Sequence, residues 1–558
     1  MDSFNPASVS CVISARTDLK ESEGTSSGVI IDSKKGLILS HASLLTPLLA
    51  RNSKLIKSLR GTGVLRDGDI LSKFKCTVYL PPNQQYTENT HRYRSMLTNS
   101  EIENDNSGIK KDNTVCVATH VCVLCVFECR SLKRILSKLI PSSEFEFADM
   151  RSDTPESEKV NPGLSYQLLS CFVLLKTSQN SSSYLPLRSA LETRVGDRVE
   201  ICSTPFGSLN PDVFLNSRSS GIISNLAGEN NVLILTDARC IPGSEGAGLF
   251  TSSGNTTHSL TGMIIAPVCW KNNEWVGLAL ACSLSEVLKS LDDVWDYNFE
   301  HHTVPADILN EQITWEGCSC SVVSHAARCV PLVSVGNKWG SGVVVDRQLG
   351  LVLTCSHVIR GSEKSPVELY SVNQSKHPVS TVATVLYKTP SGGQFDLAVL
   401  SVECDWSGTH LNLCQEEVCE GDTVTVIGHA LFPKNHSLGP MVTSGIISKI
   451  VKIGGTTVML QTTCAVQAGA SGGAVIDRQG RLVAIVVCNA KDDDTGASYP
   501  HVNMCVPVSA ILPVLQDFIT SRDPGVLRNL CVISPALRRL WTLGNTTWGT
   551  EEPPQSKL

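Results

Sequence analysis

Along the chain, short apolar runs separated by polar turns outnumber stretches with helical periodicity. Val352 to Thr354 and Val424 to Ile427 have the length and alternation of strands, and Leu482 to Val487 is a continuous apolar run of the same length class. Helices are few: Ala510 to Phe518, with Pro513 expected to kink it, and its counterpart Leu284 to Leu291. The most apolar run, Val115 to Phe127, carries His120 and is too short to cross a bilayer. From Pro81 to Asn113 apolar residues are scarce, which predicts a long flexible loop. The pattern predicts an all-β protein.

The pattern also repeats. Residues 27–39 and 341–353 align without a gap; seven of the 13 positions are identical and three more exchange Ile for Val. Gly196-Asp197 then matches Gly421-Asp422, and Ser220-Gly221-Ile222-Ile223-Ser224 matches Ser444-Gly445-Ile446-Ile447-Ser448. Gly243-Ser244-Glu245-Gly246-Ala247-Gly248 matches Gly469-Ala470-Ser471-Gly472-Gly473-Ala474. Matched segments in one order imply a duplicated domain. The first copy is the longer, and its excess lies mainly between residues 50 and 165.

One block carries chemistry. In Gln467 to Ala474, three glycines let the backbone turn sharply around Ser471 and bring N–H groups close to a ligand. The N–H groups of Gly469 and Ser471 are placed to receive the oxygen that turns negative when Ser471 attacks a carbonyl. A serine hydroxyl needs an imidazole to take its proton and a carboxylate to hold that imidazole. His357, at the end of Leu351 to Thr354, and Asp396, opening Leu397 to Leu400, supply both. In the first copy these positions hold Ser43, a residue near Ser170, and Glu245, so that copy reads as degenerate. Taking His41 as the base instead would break the match at Asp32 and Gly36. A glutamate in the turn is tolerable because backbone N–H groups there can receive its carboxylate.

The chain order His, Asp, Ser is that of the chymotrypsin fold. Gly340-Ser341-Gly342, Ser356-His357-Val358-Ile359, Asp396-Leu397-Ala398-Val399-Leu400, Thr443 to Ser448 and Gly469 to Gly473 resemble the trypsin-like proteases of the HtrA/Deg type, over about residues 316–515. Two features depart from that family: Ala470 precedes the serine, and no PDZ-like module follows. The resemblance implies two tandem chymotrypsin/trypsin-like units, each a pair of six-stranded β-barrels with the site in the crevice between them. Residues 1–300 form the degenerate unit with its insert around 81–114, 301–315 a linker, 316–520 the catalytic unit, and 521–558 a tail. In this fold the floor of the specificity pocket falls at Ala465, and Val487 and Asn489 belong to its wall. A pocket without a charge favours neutral residues before the cut, cysteine among them. The resemblance requires no metal or organic cofactor.

Composition narrows the setting. Net charge is −6, which gives no basic surface for nucleic acid. The 22 cysteines suggest disulfides, but no secretory signal opens the chain, so they are expected to be reduced and mostly buried. Cys116, Cys122, Cys125 and Cys129 read as part of a Cys-rich buried strand pair rather than a metal site. Ser556-Lys557-Leu558, last in the sequence, is a peroxisomal address, with the import receptor as its implied partner.

The expected function is therefore a serine endopeptidase of the peroxisome matrix. The resemblance implies imported matrix proteins as substrates, including those with removable N-terminal leaders and enzymes of fatty-acid β-oxidation. It also makes self-association plausible. The degenerate copy raises an alternative, a non-catalytic adaptor built from two protease-like domains. A flexible loop on an endopeptidase further predicts self-cleavage in or just after residues 81–114, near Thr114 to Ala118.

Overall fold

The computed structural model describes residues 5–16, 23–49, 53–66, 75–80, 117–147, 166–177, 192–253, 257–267, 269–271, 274–295, 320–372, 378–390, 395–403, 410–432, 438–491, 498–531, 537 and 540–541. The insert expected at 81–114, the linker at 301–315 and Ser556-Lys557-Leu558 lie outside these residues. Among the described residues no helix is long and apolar enough to cross a membrane.

Four antiparallel barrels follow one another. The first joins Ser10–Arg16, Glu23–Asp32, Leu37–His41, Lys75–Leu80, Val117–Glu128 and Cys171–Thr177, and pairing of the last two strands closes the ring. A two-residue strand, Val64–Leu65, adds a seventh member on Val126 and Phe127. The second barrel closes Arg198–Ser203, Ser217–Ala227, Leu233–Thr236, Gly248–Ser253, Thr257–Ala266 and Ala279–Ser283. The third is built from Leu332–Val335, Lys338–Asp346, Leu351–Thr354, Val367–Val372, Pro378–Lys388 and Ala398–Ser401. The fourth takes Thr423–Gly428, Met441–Ile453, Thr456–Thr462, Ala474–Ile476, Leu482–Lys491 and Ser498–Pro507. This is the all-β, chymotrypsin-like double-barrel architecture, present twice. The helix Val508–Ser521 follows, running through Pro513, and buries Val508, Ile511, Leu515 and Phe518 on one face. Its counterpart is Leu284–Asp292.

Strand register confirms the duplication residue by residue. Gly28 pairs with Ser40 as Gly342 pairs with Thr354, which puts Ser43 at the position of His357. Ser40 pairs with Val173 as Thr354 pairs with Ala398, so the position of Asp396 is taken by Cys171, one residue beyond Ser170.

Part of the first copy's excess length is folded. From Val117 the chain is a strand and then the helix Arg130–Leu139, which buries Leu132, Leu136 and Leu139 at helical spacing. The expected Cys-rich strand pair is a single long strand on which Cys122 is exposed and Cys125 buried. Alternation along a strand sends these side chains to opposite faces, so they cannot converge.

The two copies share one core. An apolar cluster runs from the first barrel through Val276 and Leu278 into Val424, Val466, Ala470 and Val486 of the fourth. At that seam Asp237 accepts the N–H of Ile222 within its own copy and the N–H of Ser444 across it, each at 2.7 Å. Burial pushes its carboxyl up to about 6, against the opposing pull of these N–H groups. In Asp237→Ala both N–H groups lose their partner, and the expected cost is on the order of 2 kcal/mol, read as a lower thermal midpoint of the full chain. An unchanged midpoint would show that the seam does not depend on this carboxylate.

Candidate active site

The strand Leu351–Thr354 brings His357 to the rim of the third barrel, and its partner strand Ala398–Ser401 brings Asp396 to the same end. Thr354 secures the exit of its strand by donating from Oγ1 to Ser341 O at 2.7 Å. The Asp396 carboxylate holds His357 twice. One oxygen accepts the backbone N–H at 3.0 Å, and the other is hydrogen-bonded to the imidazole Nδ1. Two bonds to one carboxylate fix the ring's orientation and its tautomer, with the proton on Nδ1 and Nε2 left as a base. The two side chains are 27% and 30% exposed, open enough to meet a substrate.

Ser471 sits in the turn entering the strand Ala474–Ile476. Gly469 and Gly472 have φ of +95° and +83°, and a Cβ at either would lie 2.3 Å from His429 O or 2.1 Å from Ser341 O. Both conformation and close approach therefore demand glycine. Within the turn, Ala470 N–H bonds Gln467 O, Gly472 N–H bonds Val486 O and Gly473 N–H bonds Ala470 O. The N–H groups of Gly469 and Ser471 make no hydrogen bond to the described residues. Two unspent donors flanking one serine form an anion-receiving nest. The Ser471 hydroxyl itself donates to Val487 O at 3.0 Å rather than to the imidazole.

The expected pocket residues lie beside this turn. Ala465, Val487 and Asn489 are all buried. Asn489 donates from Nδ2 to Val466 O at 2.8 Å, which ties the strand Leu482–Lys491 to the segment carrying Ala465. Thr443 Oγ1 donates to Ala465 O, also at 2.8 Å. None of these side chains carries a charge.

Cys355, His357 and Asp396 could offer three metal-ligand atoms within 4.8 Å of one another. These donors are already engaged. The imidazole and carboxylate bond each other, the Cys355 thiol donates to Val486 O at 3.2 Å, and burial holds that thiol well above its usual range. The set does not fit a resident ion.

Three supporting residues carried no assigned role at the sequence level. Ser341 donates from Oγ to Gly469 O at 2.8 Å and accepts His429 N–H at 2.7 Å, bracing the turn from the third barrel. His429 is buried and pulled down to about 4 by burial, and is held by Val330 O. Leu431, at φ +66°, donates its N–H to Ala468 O at 2.9 Å. Ser341 stood inside a repeated Ser-Gly motif, which was a signal for it; the other two lie outside every matched block.

The first copy keeps this scaffold without counterparts of His357, Asp396 and Ser471. Ser27 occupies the place of Ser341, donating to Gly243 O at 2.8 Å and accepting Thr204 N–H. Phe206 occupies the place of Leu431, again left-handed, with its N–H on Pro242 O at 2.9 Å. Gly243 N–H, the counterpart of Gly469 N–H, is occupied: it donates to the Glu245 carboxylate at 2.8 Å. The nest of this copy is filled by its own side chain. His41 is buried at the position of Cys355, its ring nitrogens on Leu169 O and on the Ser43 N–H, and burial pulls it down to about 4.

Comparison with known proteins places the chain among proteases. The trypsin-like peptidase domain family matches residues 340–485. The peroxisomal leader peptide-processing protease of Mus musculus is 30% identical over 579 residues, covering 98% of this chain and 97% of that protein. The Homo sapiens protein of the same name is 37% identical over 362 residues, covering 64% of this chain and 61% of that protein, just under two thirds of its length. The serine endoprotease DegS of Escherichia coli K12 is 28% identical over 194 residues, covering 34% of this chain and 50% of that protein. With nearly its whole length matched, the chain belongs to the peroxisomal leader peptide-processing protease family.

Proposed function

We propose that this protein is a serine endopeptidase of the peroxisome matrix, with Ser471 as nucleophile, His357 as base, Asp396 as its orienter, and Gly469 and Ser471 N–H as the oxyanion hole. The observation that carries the reading is the contrast between the copies. The same turn leaves its Gly469 N–H free beside Ser471 and gives its Gly243 N–H to Glu245. Family membership supports the protease class, and the relatives' names support peroxisomal leader removal from imported proteins.

On this assignment the reaction is acyl transfer through Ser471. In this reading the Ser471 hydroxyl, which rests on Val487 O, must turn to His357 Nε2 for reaction. The oxygen attacks the scissile carbonyl as Nε2 takes its proton, and the carbonyl oxygen becomes an anion between the two free N–H groups. The imidazolium, held by Asp396, passes the proton to the leaving amine. Water then hydrolyses the acyl-enzyme by the same path. The substrate class is imported matrix proteins, those of fatty-acid β-oxidation included.

A serine-directed fluorophosphonate tests the assignment. Wild type should be labelled and Ser471→Ala should not; no labelling of either would favour the adaptor reading, which the degenerate copy keeps open. Asp396→Asn presents the wrong tautomer, so kcat should fall by about 10⁴ with KM little changed, measured on a peptide substrate. A fall of less than tenfold would remove Asp396 from the role.

Peptide-library profiling should show neutral residues before the cut, because Ala465, Val487 and Asn489 bring no charge to the pocket. A strong preference for Lys or Arg would contradict this assignment.

Self-cleavage in the segment after Leu80 belongs to the same reading. Val117 and Ala118 are paired with Leu80 and Tyr79, so the cut should fall before Val117. Mass spectrometry should find a new N-terminus within residues 81–116 in wild type and not in Ser471→Ala. Its presence in both would mean another protease, and its absence from both would end the idea.

A further inference from the structure

The degenerate copy touches the turn at Gln467 and, beside it, at Leu431. Its paired strands Cys269–Lys271 and Glu274–Trp275 lie against the fourth barrel, and Cys269–Lys271 is backed by Phe145–Phe147 from the first copy's extra length. The Lys271 ammonium donates to Leu431 O, and is flanked by the Glu144 carboxylate at 3.7 Å and the ring of Phe145. Five residues on, the carbonyl of Val276 accepts Gln467 Nε2 at 2.8 Å. Trp275 packs edge-on against His501, whose Nδ1 bonds Thr463 O. Val276 itself belongs to the shared apolar core.

What these contacts hold is a peptide plane. Ala468 O and Gly469 N–H belong to one trans peptide unit, so they point in opposite directions. Leu431 N–H bonds Ala468 O, and this turns Gly469 N–H the other way, toward the expected oxyanion. Leu431 can do so only in a left-handed conformation that a leucine adopts with strain. Such a conformation persists where its surroundings over-determine it, and Lys271 supplies a fixed partner for its carbonyl. The first copy gives an independent view of the outcome. There Phe206 N–H holds Pro242 O in the same way, and the Gly243 N–H of that peptide does meet an anionic oxygen.

We infer that Lys271 and the Val276 carbonyl of the degenerate copy are positioning groups for the oxyanion hole of the catalytic copy, acting through Leu431 and Gln467. The dead domain thereby serves as a built-in clamp that keeps the Gly469 N–H pointed at the reacting oxygen. The inference rests on the assignment of Gly469 and Ser471 proposed above.

The test is Lys271→Met in the full chain, with Lys271→Arg as the conservative control and Gln467→Met as the second contact. The readouts are kcat and KM on a neutral peptide, and the affinity of a peptide boronic acid that mimics the tetrahedral oxygen. Removing one oxyanion donor outright costs about 10²–10³ in kcat. Loosening it through Lys271 should cost about tenfold or more, with boronate affinity falling in parallel and KM held within about twofold. Lys271→Arg should restore most of kcat. Should Lys271→Met fail to fold, Gln467→Met carries the same expectation. A folded variant of either kind with wild-type kcat and boronate affinity would overturn the inference, as would equal losses in Lys271→Arg and Lys271→Met. Fluorophosphonate labelling of wild type at Ser471 separates the two claims. If it fails, the assignment of the site is wrong; if it succeeds while Lys271→Met behaves as wild type, only the clamp is.

Discussion

The hydrogen bond from Leu431 N–H to Ala468 O sets one peptide plane, and the candidate chemistry depends on that plane. Turned the other way, the unit would present a carbonyl oxygen where the developing anion must sit. The surroundings converge on keeping it as it is. Gly469 admits the positive φ and the close approach of His429 O, Ser341 grips Gly469 O from the neighbouring barrel, and Trp339 Nε1 bonds His429 O. The third barrel therefore supplies both the His–Asp pair and the brace for a turn that belongs to the fourth.

Duplication shows which parts of this arrangement are scaffold and which are chemistry. The brace serine, the left-handed residue and the two close-packed glycines recur in the first copy, where a Cβ on Gly246 would lie 2.2 Å from Ser27 O. The counterparts of His357, Asp396 and Ser471 are other residues there: Ser43, Cys171 and Glu245. Glu245 takes the place of Ser471 and folds back onto Gly243 N–H, so a donor that would otherwise be left unpaired in a buried turn is satisfied.

Much of this was legible in the sequence, because the relevant signals are local. The strand-to-histidine run, the aspartate opening an apolar strand, and a serine between glycines each carry their own short-range reason. The offset between the copies could be read from seven identities in 13 positions, and strand register bears it out at Ser43 and refines it from Ser170 to Cys171. What could not be read is held by contacts distant in sequence. Leu431 and Lys271 sit in unremarkable stretches, 160 residues apart, and meet only because the second and fourth barrels dock. The helix Arg130–Leu139 was not read either, although the apolar run before it was plain.

The central claim is that Gly469 and Ser471 N–H form a working oxyanion hole while the equivalent hole in the first copy is closed by Glu245. The most direct measurement is a crystal structure of the full chain with a peptide boronic acid bound. The account predicts a bond from boron to Ser471 Oγ and a boronate oxygen about 2.7–3.1 Å from both N–H groups, with Glu245 still on Gly243 N–H. A boronate oxygen turned away from Gly469 N–H, or an adduct in the first copy in place of Glu245, would contradict it.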